Sequence, residues 1–324
     1  MKMGFLLDIV FGDSHGKPTP FTIGSGKVGA DSFEISLKTG ASLDSQYTIN
    51  DLPSYQTLVP LGELADLKRL ASPLYQGYLI DLSLYGTLDE YIRVHFPTTK
   101  RMFRRQADKL RIKVGPKQKI FHGAPIEEGE LDLLFESFED FLEKRFQQME
   151  AHNYELPFLP QYKTMFRTLV PKGEAIIFSQ YHHDRPIALG IGFLNGGTLY
   201  LFNIAFDIDY SPYGLGNQML LDVLEWCYKN GIYRVDMGRG DYFHKRKWVN
   251  ASYTYRELSL YKAFTFSAIK AYFTWAKNGS RYHLIALLKK MGMQTWAKKF
   301  FKWKYRHWGP GSKEKNLQKE TNTK

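Results

Sequence analysis

Between Glu174 and Ala205 the chain reads as three apolar runs, Glu174 to Tyr181, Pro186 to Leu194 and Thr198 to Ala205. Two tight polar turns, His183-Asp184-Arg185 and Asn195-Gly196-Gly197, join them. Apolar runs of strand length joined by such turns predict an antiparallel meander. An apolar helical pattern follows from Gly214 to Lys229, then a short strand at Tyr233, a Gly-Arg-Gly-Asp loop and a strand from Tyr253 to Tyr261. Helical patterns continue from Phe266 to His307. The order βββ–α–β–loop–β specifies a mixed-sheet α/β (α+β) lobe. It does not fit a doubly wound fold, which alternates strands and helices throughout.

Two loops in this region have the composition of a ligand cleft. Ser211-Pro212-Tyr213-Gly214-Leu215-Gly216 follows the third strand and opens the helix. Glycines there let backbone N–H groups approach a ligand closely, and a helix N-terminus favours phosphate-like anions. The second loop, Asp236-Met237-Gly238-Arg239-Gly240-Asp241, leads into Phe243-His244-Lys245-Arg246-Lys247-Trp248. It gathers Arg239, Asp241, His244 and Lys245 into an acid/base cluster. Each residue also has a plainer reading. Asp241 can cap a Gly-Asp turn, Lys245 can belong to a solvated basic run, and the glycines can serve a tight turn. His182 and His183 are adjacent on a strand and point to opposite faces, so they form no metal site. No serine sits in a G-x-S-x-G elbow.

At 324 residues the chain suits two compact lobes. The expected spans are 1–160, an N-terminal lobe; 161–280, the lobe with the two loops; and 281–324, a basic amphipathic helical tail. In the first span Tyr78 to Leu82 reads as a buried strand, and Thr87 with Glu90 reads as the capping pair of a helix that Pro97 should kink or split. A strand is expected around Gln118 to His122 and an amphipathic helix from Leu131 to Met149. Pro157 and Pro160 mark a lobe boundary or a turn. The lone cysteine, Cys227, allows no internal disulfide and suits a reducing, cytoplasmic setting. No uncharged apolar stretch is long enough to span a bilayer.

Net charge is +11, and residues 281–324 carry +10 of it. Trp296, Phe300 and Trp303 follow one helical stripe, and Lys298, Lys302 and Arg306 another. Such a helix, within 281–308, suits an anionic membrane surface at the inner face of the membrane. It also suits a terminal helix packed on the body with a solvated basic face, and nucleic acid is a third partner for so basic a segment.

Leu79-Ile80-Asp81-Leu82-Ser83, the Lys100-Arg101-Met102-Phe103-Arg104-Arg105 helix, and Asp236 to Asp241 with Lys245 and Trp248 resemble signatures of one family. It is the GNAT superfamily, in its cellulose-biosynthesis (CelD/BcsL-like) acetyltransferase branch, itself similar to FemX-type peptidyltransferases. The resemblance covers roughly residues 75 to 265. It implies two GNAT-like lobes, the second holding acetyl-CoA or a longer acyl-CoA between splayed strands, with no metal. It places Asn203, Ala205, Ser211, Tyr213, Gly214, Leu215, Gly216 and Asn217 along the donor, with a backbone N–H between Asn203 and Ala205 polarising the thioester. In the family's R/Q-x-x-G-x-G/A loop, Ser211 stands at the first position, which leaves free CoA and an acyl-carrier protein both open as donor. His244 stands where the branch often has Tyr. Asp241 is the expected base and Lys245 or Arg239 the expected stabiliser of negative charge. Tyr261 is the expected acid. The implied activity is N-acylation of an amine, such as an amino sugar for cell-surface polysaccharide. Two rivals are a tRNA-dependent aminoacyl transferase of the FemX kind and a non-catalytic binding module on the same fold.

Overall fold

The computed structural model describes residues 2–13, 19–24, 31–151, 153, 155–240 and 243–293. Asp241 and the stripe around Trp296, Phe300 and Trp303 lie outside the described residues. In chain order the first strands are β1 (Lys2–Gly4), β2 (Phe21–Gly24), β3 (Ser32–Leu37), β4 (Gln46–Pro53), β5 (Thr57–Pro60) and the long β6 (Lys68–Asp81). Helices α1 (Leu88–His95) and α2 (Lys100–Lys113) follow, then β7 (Lys117–Phe121), α3 (Glu128–Gln148) and α4 (Leu159–Leu169). The meander is β8 (Ala175–His182), β9 (Arg185–Asn195) and β10 (Thr198–Phe206). The chain continues through α5 (Leu215–Lys229), β11 (Arg234–Arg239), α6 (Phe243–Arg246), β12 (Ala251–Tyr261) and α7 (Phe266–Lys290).

Local chemistry accounts for the boundaries. The Thr87 side chain accepts from Glu90 N, which starts α1, while Glu90 reaches back to the amide of Gly86, one residue beyond the expected partner. Pro97 separates α1 from α2, because a proline disfavours helical backbone at the residue before it. Pro157 and Pro160 open a short 3₁₀ turn (Leu156–Phe158) and α4, where a missing N–H removes no helical bond.

Nine strands form one sheet in the order β1-β4-β12-β6-β11-β10-β9-β8-β7, and β2, β3 and β5 form a small second sheet. The large sheet crosses residue 160 twice. β7 pairs with β8, and β12 lies between β4 and β6. Alternation along β8 sends Ile177 to one face and Ile176 with Phe178 to the other. On the first face lie Leu134, Phe138 and Phe141 of α3 with Phe166 of α4. On the second lie Met219, Val223 and Leu224 of α5, with Phe96 after α1 and Phe103 of α2. Burying each such side chain contributes about 1.5–3 kcal/mol. A third core joins the small sheet to β4 and β12 through Phe21, Ile35, Tyr47 and Leu260.

Candidate active site

β10 pairs in parallel with β11 only over Thr198 to Tyr200. Beyond that point β10 stays with β9 as far as Phe206, and β11 stays with β6 as far as Arg239. Two neighbouring strands therefore part in mid-sheet and leave a V. The parting coincides with a register shift between Leu201 and Asn203 on β10. An extra residue in one strand adds twist and bends it away from its neighbour.

The bulge also decides which backbone groups face the V. Asp207 N donates to Ile187 O, and the antiparallel alternation then turns Ala205 and Asn203 toward β9 and Ile204 away from it. The Ile204 carbonyl accepts from Arg145 of α3 at 3.2 Å. Of the three residues expected to offer an N–H to a carbonyl, Ile204 is the one whose amide faces the opening, and Ala205 does not.

Side chains from four elements line the V. Asn203 Nδ2 donates to Glu155 Oε2 at 2.5 Å. Glu155 lies just before α4, and burial raises its carboxyl above the ordinary carboxylate range; Asn203, Arg239, Lys245 and Arg145 act in the opposite direction. Tyr162 of α4 sits against Phe202 with ring centroids 4.7 Å apart, and burial with the nearby Glu155 charge pushes its hydroxyl up to about 12. Arg239 lies over the Tyr75 ring at 5.6 Å. Lys245 is buried, and its ammonium donates to the carbonyls of Met237 at 2.6 Å and Arg239 at 2.8 Å. It is therefore no part of a solvated run, whereas its neighbour Arg246 is exposed.

Asp236 forms the floor of the V. It is 2% exposed and accepts from Tyr55 at 2.7 Å, from Tyr253 at 2.6 Å and from the Gly238 amide at 2.6 Å. Burial raises its carboxyl, opposed by these three hydrogen bonds and by the Lys245 charge. Beside it Gln56 donates to the Tyr200 hydroxyl, so a segment more than 140 residues away in sequence braces both strands.

The α5 entry closes the other side. Asp207 caps a 3₁₀ turn (Ile208–Tyr213) that contains Ser211, and Gly214 follows with φ +71°. A Cβ at Gly214 would come within 2.6 Å of Gln106 on α2, and one at Gly216 within 2.6 Å of the Phe206 ring. Both glycines thus have a packing reason. The Gly214 amide donates back to Ser211 O of the 3₁₀ turn at 3.1 Å, and the amides of Leu215 and Gly216 then open α5. Around them stand Lys247, which donates to Asn217 Oδ1 at 2.8 Å, and Lys109, 5.0 Å over the Tyr213 ring. Burial lowers the Lys247 ammonium from its ordinary value. Two lysines from other elements thus stand near the entry whose own first residue is Ser211.

The expected site residues divide accordingly. Arg239, Lys245, Asn203 and the Tyr213–Asn217 turn border the V or its α5 side. His244 is placed only by its backbone, in α6. Tyr261 is elsewhere: it is eight residues beyond Tyr253 on β12, about 26 Å along an extended strand, and meets Tyr272 of α7. Sequence reasoning missed Glu155, Arg145, Tyr162, Tyr55 and Tyr253, because no local spacing ties them to the loops. Among the described residues no cluster of three or more His, Cys, Asp or Glu could hold a metal.

Residues 99–246 match the acetyltransferase (GNAT) domain family. No curated protein sequence matches the chain. Among solved structures, L-PGS from Bacillus licheniformis aligns at 10% identity over 80% of this chain and 85% of that one, with a TM-score of 0.45. FemX aligns at 9% identity over 74% and 83%, with a TM-score of 0.45. The PaiA N-acetyltransferase from Thermoplasma acidophilum, in complex with coenzyme A, aligns at 11% identity over 44% and 98%, with a TM-score of 0.33. The mixed sheet has a GNAT fold, residues 99–246 are similar to the acetyltransferase (GNAT) domain, and the chain is an acyltransferase.

Proposed function

We propose that the chain moves an acyl group from a pantetheine thioester, acyl-CoA or an acyl-carrier protein, to the amine of an amino sugar or another precursor of cell-surface polysaccharide. The parting of β10 from β11 after Tyr200 carries this reading. It opens an unpaired strand edge inside a sheet, which can hold an extended, amide-bearing chain as a further strand would. The α5 entry, with the Leu215 and Gly216 amides and Lys247, suits the phosphates at the far end of such a donor. The acceptor class rests on the sequence resemblance of residues 79–83, 100–105 and 236–241 alone. The lone buried Cys227 fits a cytoplasmic reaction. Among the described residues no helix is long and apolar enough to cross a membrane.

The chemistry needs a neutral amine, a polarised carbonyl and a proton for the departing thiolate. Glu155 is the half-buried carboxylate beside Asn203, and its raised proton affinity suits removal of a proton from an ammonium. Ile204 N–H, turned away from β9 toward the V, would stabilise the developing charge on a thioester oxygen held there. Tyr162, neutral at physiological pH and set against Phe202 near Glu155, would protonate the departing thiolate. Lys245 keeps the end of β11 in place through two carbonyls, acting on the shape of the V rather than on the reacting atoms. Asp241 remains a second candidate base.

The test is thiol release from acetyl-CoA and longer acyl-CoAs with a panel of amino sugars, run beside transfer from aminoacyl-tRNA. Amine-dependent thiol release supports the reading. Transfer from charged tRNA alone would favour the FemX-like alternative, and stabilisation by acyl-CoA with no turnover on any acceptor would favour a binding module.

A further inference from the structure

Helix α7 is docked on the wrong face for a helix in water. Only Ser267 and Ala271 are buried, and Asn278 donates to Ser72 of β6 at 2.9 Å. With Thr274, these residues fall at i, i+4, i+7 and i+11, one narrow stripe of small and polar side chains. On the opposite stripe lie Phe266, Ile269, Phe273, Leu284, Leu287 and Met291, all exposed, with Phe266 at 91% and Phe273 at 78%. The hydrophobic effect would place these two stripes the other way round if water were the only surroundings.

Charge and backbone add independent observations. Lys270, Lys277 and Arg281 border the apolar stripe on one side, and Lys290 on the other, by helical spacing. No Asp or Glu occurs between Glu257 and Glu314. In the turn before the helix, Phe264 holds φ +56° and is fully exposed. A bulky side chain in the left-handed region is strained, and such strain persists where the surroundings impose it. Next to it an apolar groove of about 630 Å³ is lined by Tyr261, Phe264, Phe266, Ile269 and Tyr272, with Lys68 among its lining residues.

We propose that α7 and the Phe264 turn form a surface that lies on an anionic lipid bilayer, with Phe264, Phe266, Ile269 and Phe273 in the acyl-chain boundary and the flanking lysines against the headgroups. Apolar outer stripe, basic rims and a complete lack of acid are the features an anionic interface selects. A protein groove would need no such one-signed charge, and a second copy of this basic helix would be repelled by it. The inference extends to the body a contact expected from the sequence only for 281–308, and it does not depend on the acyltransferase reading.

The experiment is sedimentation of the full chain with vesicles of phosphatidylcholine, with and without 30% phosphatidylglycerol. Three full-length variants are compared: Phe264→Ser/Phe266→Ser/Phe273→Ser, Lys270→Gln/Lys277→Gln/Arg281→Gln, and Trp296→Ser/Phe300→Ser/Trp303→Ser. The parent should sediment with the anionic vesicles and not the neutral ones. The first variant should lose binding while keeping its melting temperature, because its three side chains touch little of the body. The second should bind roughly a hundredfold more weakly, at about fivefold per charge. Loss of binding only in the third variant would assign the membrane contact to residues beyond 293 and overturn the proposal. So would a parent that ignores vesicles but is a dimer that the first variant dissociates, or a parent that binds RNA equally with or without the three phenylalanines.

Discussion

At the V, Glu155, Asp236 and Lys245 are drawn into the protein, and each has its partners there: Asn203, two tyrosines and a backbone amide, two carbonyls. Along α7, Phe266, Ile269 and Phe273 stand exposed to solvent. Both regions depart from the ordinary partition of side chains, in opposite directions. Burying a charge is costly and survives where each hydrogen bond is supplied, so the V is preorganised and intolerant of change. Exposing apolar surface costs the folded monomer little more than it costs the unfolded chain. The outer stripe of α7 should therefore be tolerant of change as far as folding goes, and sensitive only when a second phase is present.

The largest effect expected on this contrast is at Glu155. Glu155→Gln should lower kcat/KM by roughly 10²–10⁴-fold, the range for losing a general base. In the parent, the acidic limb of the kcat/KM profile should lie above the ordinary carboxylate value of 4.5, since burial raises this group. The stability sign is opposite to the usual carboxylate case. A group whose folded pKa is raised stabilises fully below its unfolded value and loses that contribution as pH rises through the folded value. Glu155→Gln should thus be at least as stable as the parent at neutral pH. A variant that loses activity only because it unfolds would remove Glu155 from the mechanism.

Next comes Lys245→Met, which leaves the Met237 and Arg239 carbonyls without their donor. Urea unfolding should show a loss of about 2–3 kcal/mol. A loss within error would return Lys245 to the solvated basic run. Smaller still, Lys247→Gln should raise KM for acyl-CoA by roughly tenfold, about 1.4 kcal/mol, with kcat little changed. An unchanged KM would leave the α5 amides as the sole phosphate partners. The smallest effect is expected at Phe273→Ser, within about 0.5 kcal/mol of parent stability as for other exposed positions. A loss of several kcal/mol there would mean that the stripe is covered within the protein and would erase the contrast.

What could be read from the chain was whatever local chemistry determines. The turns at His183 to Arg185 and at Asn195 to Gly197 gave the meander in register with β8, β9 and β10. Thr87 gave the start of α1, and Pro97 the break before α2. The first loop flanks the V because it follows β10, whereas residues 236–239 of the second, expected as a loop, are the end of β11 itself. Glu155 was invisible because nothing in its neighbourhood distinguishes it from other loop carboxylates; only the packing of α4 under β10 brings it to Asn203. The two glycines at the start of α5 were legible as a special turn, yet Gln106 and Phe206, which make them necessary, come from α2 and from the end of β10. Tyr261 was assigned by being on the strand after the loops, without its distance along that strand. The composition of α7 was plain, but which stripe faces the body depends on Ser72, 206 residues before its partner Asn278.

The position of β12 between β4 and β6 also sets an order on synthesis. Residues up to Asp81 emerge from the ribosome with a gap where their central strand belongs, and the gap closes only when Ala251 to Tyr261 have left the exit tunnel. Until then β4 and β6 expose edges that would accept a strand from any other chain. The part made before the meander is therefore finished after it, and a chaperone, or a slower passage of the ribosome, has reason to guard it.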